Sequence, residues 1–157
     1  MQRRHLLIAA AGTGLFARLA QAHHGWSNFD ETQPVYLEGR AAQVRWRNPH
    51  AEILLELEPQ LALPPDLARR PLPPQAAPVD GPALLARAAL PQRPDRRWTV
   101  ELAPLTRLGA WGLGEIAPGA ELSVVGFVQK QPQGEARLRA EYLFVGGKAY
   151  GLRSAPA

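Results

Sequence analysis

The side chains best placed for chemistry are histidines, which stand at positions 5, 23, 24 and 50. His5 lies in a leader-like segment. Cleavage after Ala22 makes the chain begin His23-His24-Gly25-Trp26. A histidine with a free amino group chelates one metal through that amine and its ring Nδ1. A further imidazole completes the three-nitrogen set that copper(II) favours. His24 and His50 are the remaining imidazoles, so the candidate metal ligands are His23, His24 and His50, and the candidate cofactor is copper. Two facts weigh against a site: chain ends fray, and adjacent residues of an extended segment point to opposite sides. On that reading His23 and His24 are a solvated end, and His50 bonds backbone at a strand start.

The leader rests on residues 1–22. Arg3 and Arg4 supply a positive start, an apolar run follows, and Ala20-Gln21-Ala22 gives the small-x-small pattern of a signal cleavage site. The run is interrupted by Gly12, Gly14 and Arg18 and is too short for a membrane span, which needs about 20 apolar residues. The expectation is a periplasmic or secreted protein with no stable membrane insertion after cleavage. The paired arginines resemble a twin-arginine signal, but Gln2 stands where Ser or Thr usually precedes the pair, which makes a general secretory signal the close alternative.

Composition excludes several classes. The formal charge of +4 falls to +1 once Arg3, Arg4 and Arg18 leave with the leader. No dense basic footprint for nucleic acid remains. The absence of cysteine excludes disulfides, thiol nucleophiles, zinc-thiolate and iron–sulfur sites. No serine stands in a G-x-S-x-G elbow, no H-E-x-x-H motif occurs, and Ser27 near His24 lacks an acid to orient the base. The chain reads as a non-enzyme.

The elements that must position the histidines follow from alternation. Residues 33–48 predict a strand, with Gly39 marking a bend or bulge. Asn48-Pro49 is a turn. Residues 50–58 predict a second strand, with Ile53, Leu55 and Leu57 opposite Glu52, Glu56 and Glu58. Further strands are expected at 96–103, 120–130, 135–145 and 148–153. A short helix is expected at 104–112, where Leu105, Leu108 and Trp111 repeat at helical spacing. In the strand 135–145, Leu138, Ala140 and Tyr142 oppose Arg137, Arg139 and Glu141, and the two arginines read as solubilising. The four tryptophans read as core. Trp26 and Phe29 would pack the amino-terminal segment against the body of the domain.

Residues 59–95 hold ten of the sixteen prolines. They predict a long mobile loop inserted between two strands, with a short helix at 83–90. A tolerated insertion and a partner-binding arm are its two readings.

The fold class is all-β, mainly antiparallel, with one short helix. The order β-β-β-α-β-β is that of a small OB-like β-barrel, with a β-sandwich as the alternative. Residues 23–157 form one domain.

Several marks together resemble a known family: the double histidine with Trp26, Phe29, Pro34 to Gly39, Val44 with Trp46, Asn48-Pro49-His50-Ala51, the Trp98 to Leu102 strand, and Gly146-Gly147. The family is an uncharacterised exported bacterial one, domain of unknown function six-one-five-two. Gly25 stands where the family often has serine, and the proline-rich insertion is longer than usual. The resemblance implies a small periplasmic β-barrel-like domain and no activity. It singles out His23, His24, Asn48 and His50. The function expected is periplasmic metal binding through the histidine cluster. The alternative is a non-enzymatic module that binds a ligand or protein partner through the barrel face or the proline-rich loop.

Overall fold

A computed structural model of the chain describes residues 25–130 and 134–157. The leader, His23 and His24 lie outside the described residues. No helix among the described residues is long and apolar enough to cross a membrane.

Six strands form: β1 (Val35–Arg45), β2 (Glu52–Leu57), β3 (Arg97–Glu101), β4 (Glu121–Val128), β5 (Arg137–Val145) and β6 (Lys148–Gly151). Their order in the sheet is β3-β2-β1-β4-β5-β6, and β3 also pairs with β5. That last pairing is parallel and closes five strands into a barrel; closure removes edges that would otherwise seek partners. Two short helices, α1 (Gly81–Ala86) and α2 (Leu105–Ala110), stand before β3 and between β3 and β4. The OB-like expectation is thus met, with α2 as its interstrand helix.

Alternation along the strands fills the interior. Leu37, Ile53, Leu55, Trp98, Val100 and Leu138 belong to one buried cluster. The Trp98 indole N–H donates to the Asp95 carbonyl at 3.1 Å, so its one polar atom is satisfied.

Two glycines allow strands to close on each other. A Cβ on Gly39 would collide with the Glu56 carbonyl, and one on Gly126 with that of Arg139. The bulge expected at Gly39 falls instead between Ala41 and Gln43. A second slip sets Val125 opposite Tyr142 and Gly126 opposite Ala140, leaving Glu141 as the extra residue. A bulge reverses the facing of every later side chain. This corrects the expected strand phase: Ala140 and Leu143 face the interior, while Tyr142 joins a second cluster outside the barrel.

That second cluster also corrects the mobile loop expected over 59–95. Leu67, Leu84, Leu85 and Ala88 of the insertion are buried against Tyr36, Val125, Phe127 and Tyr142. Backbone bonds from Tyr36 N–H to the Ala89 carbonyl (2.9 Å) and from Ala89 N–H to the Pro34 carbonyl (3.0 Å) fasten it beside β1. The Asp80 carboxylate caps α1 by accepting from Ala83 N–H at 3.1 Å. Prolines keep the segment out of the ladder, but its leucines bury enough apolar surface to hold it as a cover.

Candidate functional site

The β1–β2 connection carries Asn48-Pro49-His50 through a cis Asn48–Pro49 peptide. It is anchored at both sides. The Asn48 side-chain oxygen accepts from Leu105 N–H at 3.1 Å, supplying the cap that Pro104 cannot give α2. Ala51 exchanges backbone bonds with the residues that follow β3, donating to the Ala103 carbonyl (3.2 Å) and accepting from Leu102 N–H (2.8 Å). His50 is therefore held on fixed backbone.

The His50 ring is half-buried, with Nδ1 3.1 Å from Glu101 Oε1. Burial pushes its pKa down, the positive charges of Arg139 and Arg107 push the same way, and Glu101 opposes them. The balance favours the neutral ring. A carboxylate oxygen repels a lone pair, so a neutral ring at this distance keeps its proton on Nδ1. Nε2 is left with the lone pair.

A network of charges backs this residue. Arg139, only 5% exposed, pairs with Glu101. Arg137 reaches Glu52 at 2.7 Å and Glu101 at 3.8 Å, and Arg45 pairs with Glu52. The parallel β3–β5 register sets Glu101 level with Arg139. The solubilising role expected of Arg137 and Arg139 is thus corrected. Their face of β5 is covered by the strands and strap around it, so Arg139 is a buried partner and Arg137 a half-buried one.

That strap is the stretch from Gly25 to Asp30. Asp30 N–H donates to the Val128 carbonyl at 2.8 Å, and Lys130 N–H to the Asn28 carbonyl at 2.9 Å. Trp26 stands edge-on to Phe127, with ring centroids 6.2 Å apart. The Arg153 guanidinium lies 3.7 Å from the Trp26 centroid and that of Arg139 5.2 Å. Arg139 also lies 4.8 Å from the Phe29 centroid. One guanidinium therefore touches the strap and the carboxylate that contacts His50. The expected packing of Trp26 and Phe29 against the barrel is observed.

These parts surround a cleft of about 860 Å³, within the usual size of a small-molecule site. Asn28 and Phe29 of the strap line it together with Asn48, His50, Glu101 and Arg137. Of the three predicted ligands, His50 opens on this cleft; His23 and His24 fall outside the described residues. Among the described residues no three His, Asp or Glu side chains form a metal-holding group. Sequence reasoning missed Glu52, Glu101 and the arginines around them. The signal was present in the alternation, which puts Glu101 and Arg139 on polar faces, but their meeting depends on a barrel closure between distant strands.

Fold and site define an OB-like barrel with a charged cleft beside its β1–β2 loop. Residues 14–62 match the model of a family described as Family of unknown function (DUF6152), the family the sequence resembles. The match takes in His23, His24 and His50 and ends just inside the insertion, so it is narrower than the resemblance read over most of the mature chain. No curated protein and no solved structure matches the chain.

Proposed function

We propose that this chain is an exported periplasmic protein that binds a copper ion through His50 together with His23, by its amine and ring, and His24. The observation that carries this reading is the setting of His50. Its Nδ1 faces the Glu101 carboxylate at 3.1 Å, which frees Nε2 as a ligand in the way second-shell carboxylates orient metal-binding imidazoles. Asn28 and Phe29 of the strap, four and five residues after His24 in the sequence, line the same cleft. The leader-like first 22 residues support export, and cleavage after Ala22 creates the chelating amine.

The test is a copper(II) titration of the protein starting at His23, followed by calorimetry and electron paramagnetic resonance. A nitrogen-rich copper signal is expected. It should weaken at least tenfold in affinity in His50→Ala, about 1.4 kcal/mol, and similarly when one extra alanine precedes His23. Unchanged affinity in His50→Ala would sink the reading.

A further inference from the structure

The same cleft has an imbalance of hydrogen-bonding capacity that the copper reading does not use. Its two carboxylates are engaged. Glu52 meets Arg137 with one oxygen and Arg45 with the other. Glu101 meets Arg139 and His50 with Oε1, and Arg137 with Oε2. The donors are in surplus. A guanidinium carries five N–H groups in a fixed fork. Both ion pairs of Arg137 run through Nη1 alone. Arg45 is half-exposed and pairs through a single nitrogen. Arg47 is exposed and makes no ion pair among the described residues. Asn48 has its side-chain oxygen occupied by Leu105 N–H, which leaves its amide NH₂ as the free end.

Charge runs the same way. Four arginines and two glutamates line the cleft, leaving two positive charges in excess in a mature chain whose whole net charge is +1. Walls of protein on several sides reduce the screening that water gives such charges.

We infer that the cleft is a binding site for a small carboxylate or phosphate anion, received by the guanidinium groups of Arg47, Arg45 and Arg137 and the Asn48 amide. Engaged carboxylates and spare donors favour an anion, which finds planar forks suited to paired oxygens. The inference goes beyond the copper reading and stands on the metal-free cleft.

The experiment uses metal-free protein starting at His23, in low-salt buffer without phosphate or carboxylate. Citrate and inorganic phosphate are titrated separately by calorimetry, with glucose as the neutral control. Saturable binding of one or both anions is expected, weakening as chloride rises, and the preferred anion tells carboxylate from phosphate. Arg47→Gln should weaken it about tenfold, since a charge-assisted hydrogen bond is lost. Arg47 has no ion pair to lose, so this variant should melt with the unmutated protein. Arg40→Gln, whose partner is Glu121 outside the cleft, should bind as before. Failure of both anions to bind, or equal loss in Arg40→Gln and Arg47→Gln, overturns the inference. So does an oligothymidylate that binds more tightly than either free anion, since it assigns the cleft to a nucleic-acid backbone. None of these results bears on copper, which is titrated separately.

Discussion

His50 and Glu101 meet at 3.1 Å, imidazole Nδ1 to carboxylate Oε1, across the end of the barrel where β3 stops and the β1–β2 loop turns back. That contact decides which ring nitrogen is free. In Glu101→Gln the amide can turn its NH₂ toward the ring, which allows the proton to move to Nε2 and closes the ligand position. Copper affinity should fall about 10–100-fold, the usual range when an outer-shell partner is lost. A competition titration against a chromophoric chelator measures it. Anion binding should persist in this variant, because a negative charge has been removed from the cleft. Copper affinity equal to that of the unmutated protein would show that Glu101 does not orient the ring.

Trp26 makes a second, longer-range prediction. It packs edge-on against Phe127, with the Arg153 and Arg139 guanidinium groups 3.7 and 5.2 Å from its ring centroid. It lies two residues from His24. Trp26→Ala removes contacts worth about 1–2 kcal/mol and frees the start of the strap. Copper binding should weaken by roughly tenfold, while circular dichroism stays that of a folded barrel. Trp26→Phe keeps a ring over both cations and should restore most of the affinity. If Trp26→Ala binds copper as before, the strap does not position the amino terminus.

How far these arrangements were legible in the sequence depends on the distance over which each is decided. The strands and α2 were legible because Ile53, Leu55 and Leu57, or Leu105, Leu108 and Trp111, carry their period locally. The role of His50 was half-legible: a histidine after an Asn-Pro turn is visible, but its carboxylate partner lies 51 positions away in the chain. Arg139 read as a surface residue because alternation reports only which face a side chain is on. Whether that face is wet depends on the strap and on β3 closing against β5. The change of phase at Glu141 was hidden for a different reason, since a bulge leaves no mark on the composition of its strand. The proline-rich insertion misled by its composition: its prolines preclude a ladder, yet Leu84 and Leu85 are spaced to bury, and burial decides whether a segment is held.

That insertion supplies a stability prediction. Leu85 is 2% exposed and sits on the outer face of the barrel beside Tyr36 and Tyr142. Leu85→Ala should cost about 2–5 kcal/mol, the range for a buried leucine truncation, seen as a lower midpoint in urea. A mobile loop would make the same substitution nearly silent. Deleting residues 64–91 should uncover the apolar cluster and give a protein that aggregates or binds a hydrophobic dye.

Glu141 yields a prediction whose sign is opposite to that of most carboxylates. It is fully buried, and its Oε2 accepts from Arg153 Nε at 2.8 Å. Burial dominates and raises its pKa above the ordinary 4.5, with Arg153 only partly offsetting this. The folded state thus holds this proton more tightly than the unfolded chain does. The stabilisation from the protonated acid is complete below about pH 4.5 and is lost as pH rises through the folded value. Glu141→Gln removes the titration while keeping the shape and a hydrogen bond to Arg153. The unfolding free energy of the unmutated protein minus that of Glu141→Gln should therefore decrease from pH 4 to pH 8 in denaturant titrations. His50 works the other way, since its lowered pKa removes stability as pH falls below about 6.5. Its contribution is common to both proteins and cancels in the difference. A difference that grows with pH would mean that the ion pair with Arg153 outweighs burial, and that Glu141 holds Arg153 against Trp26 as a charged partner.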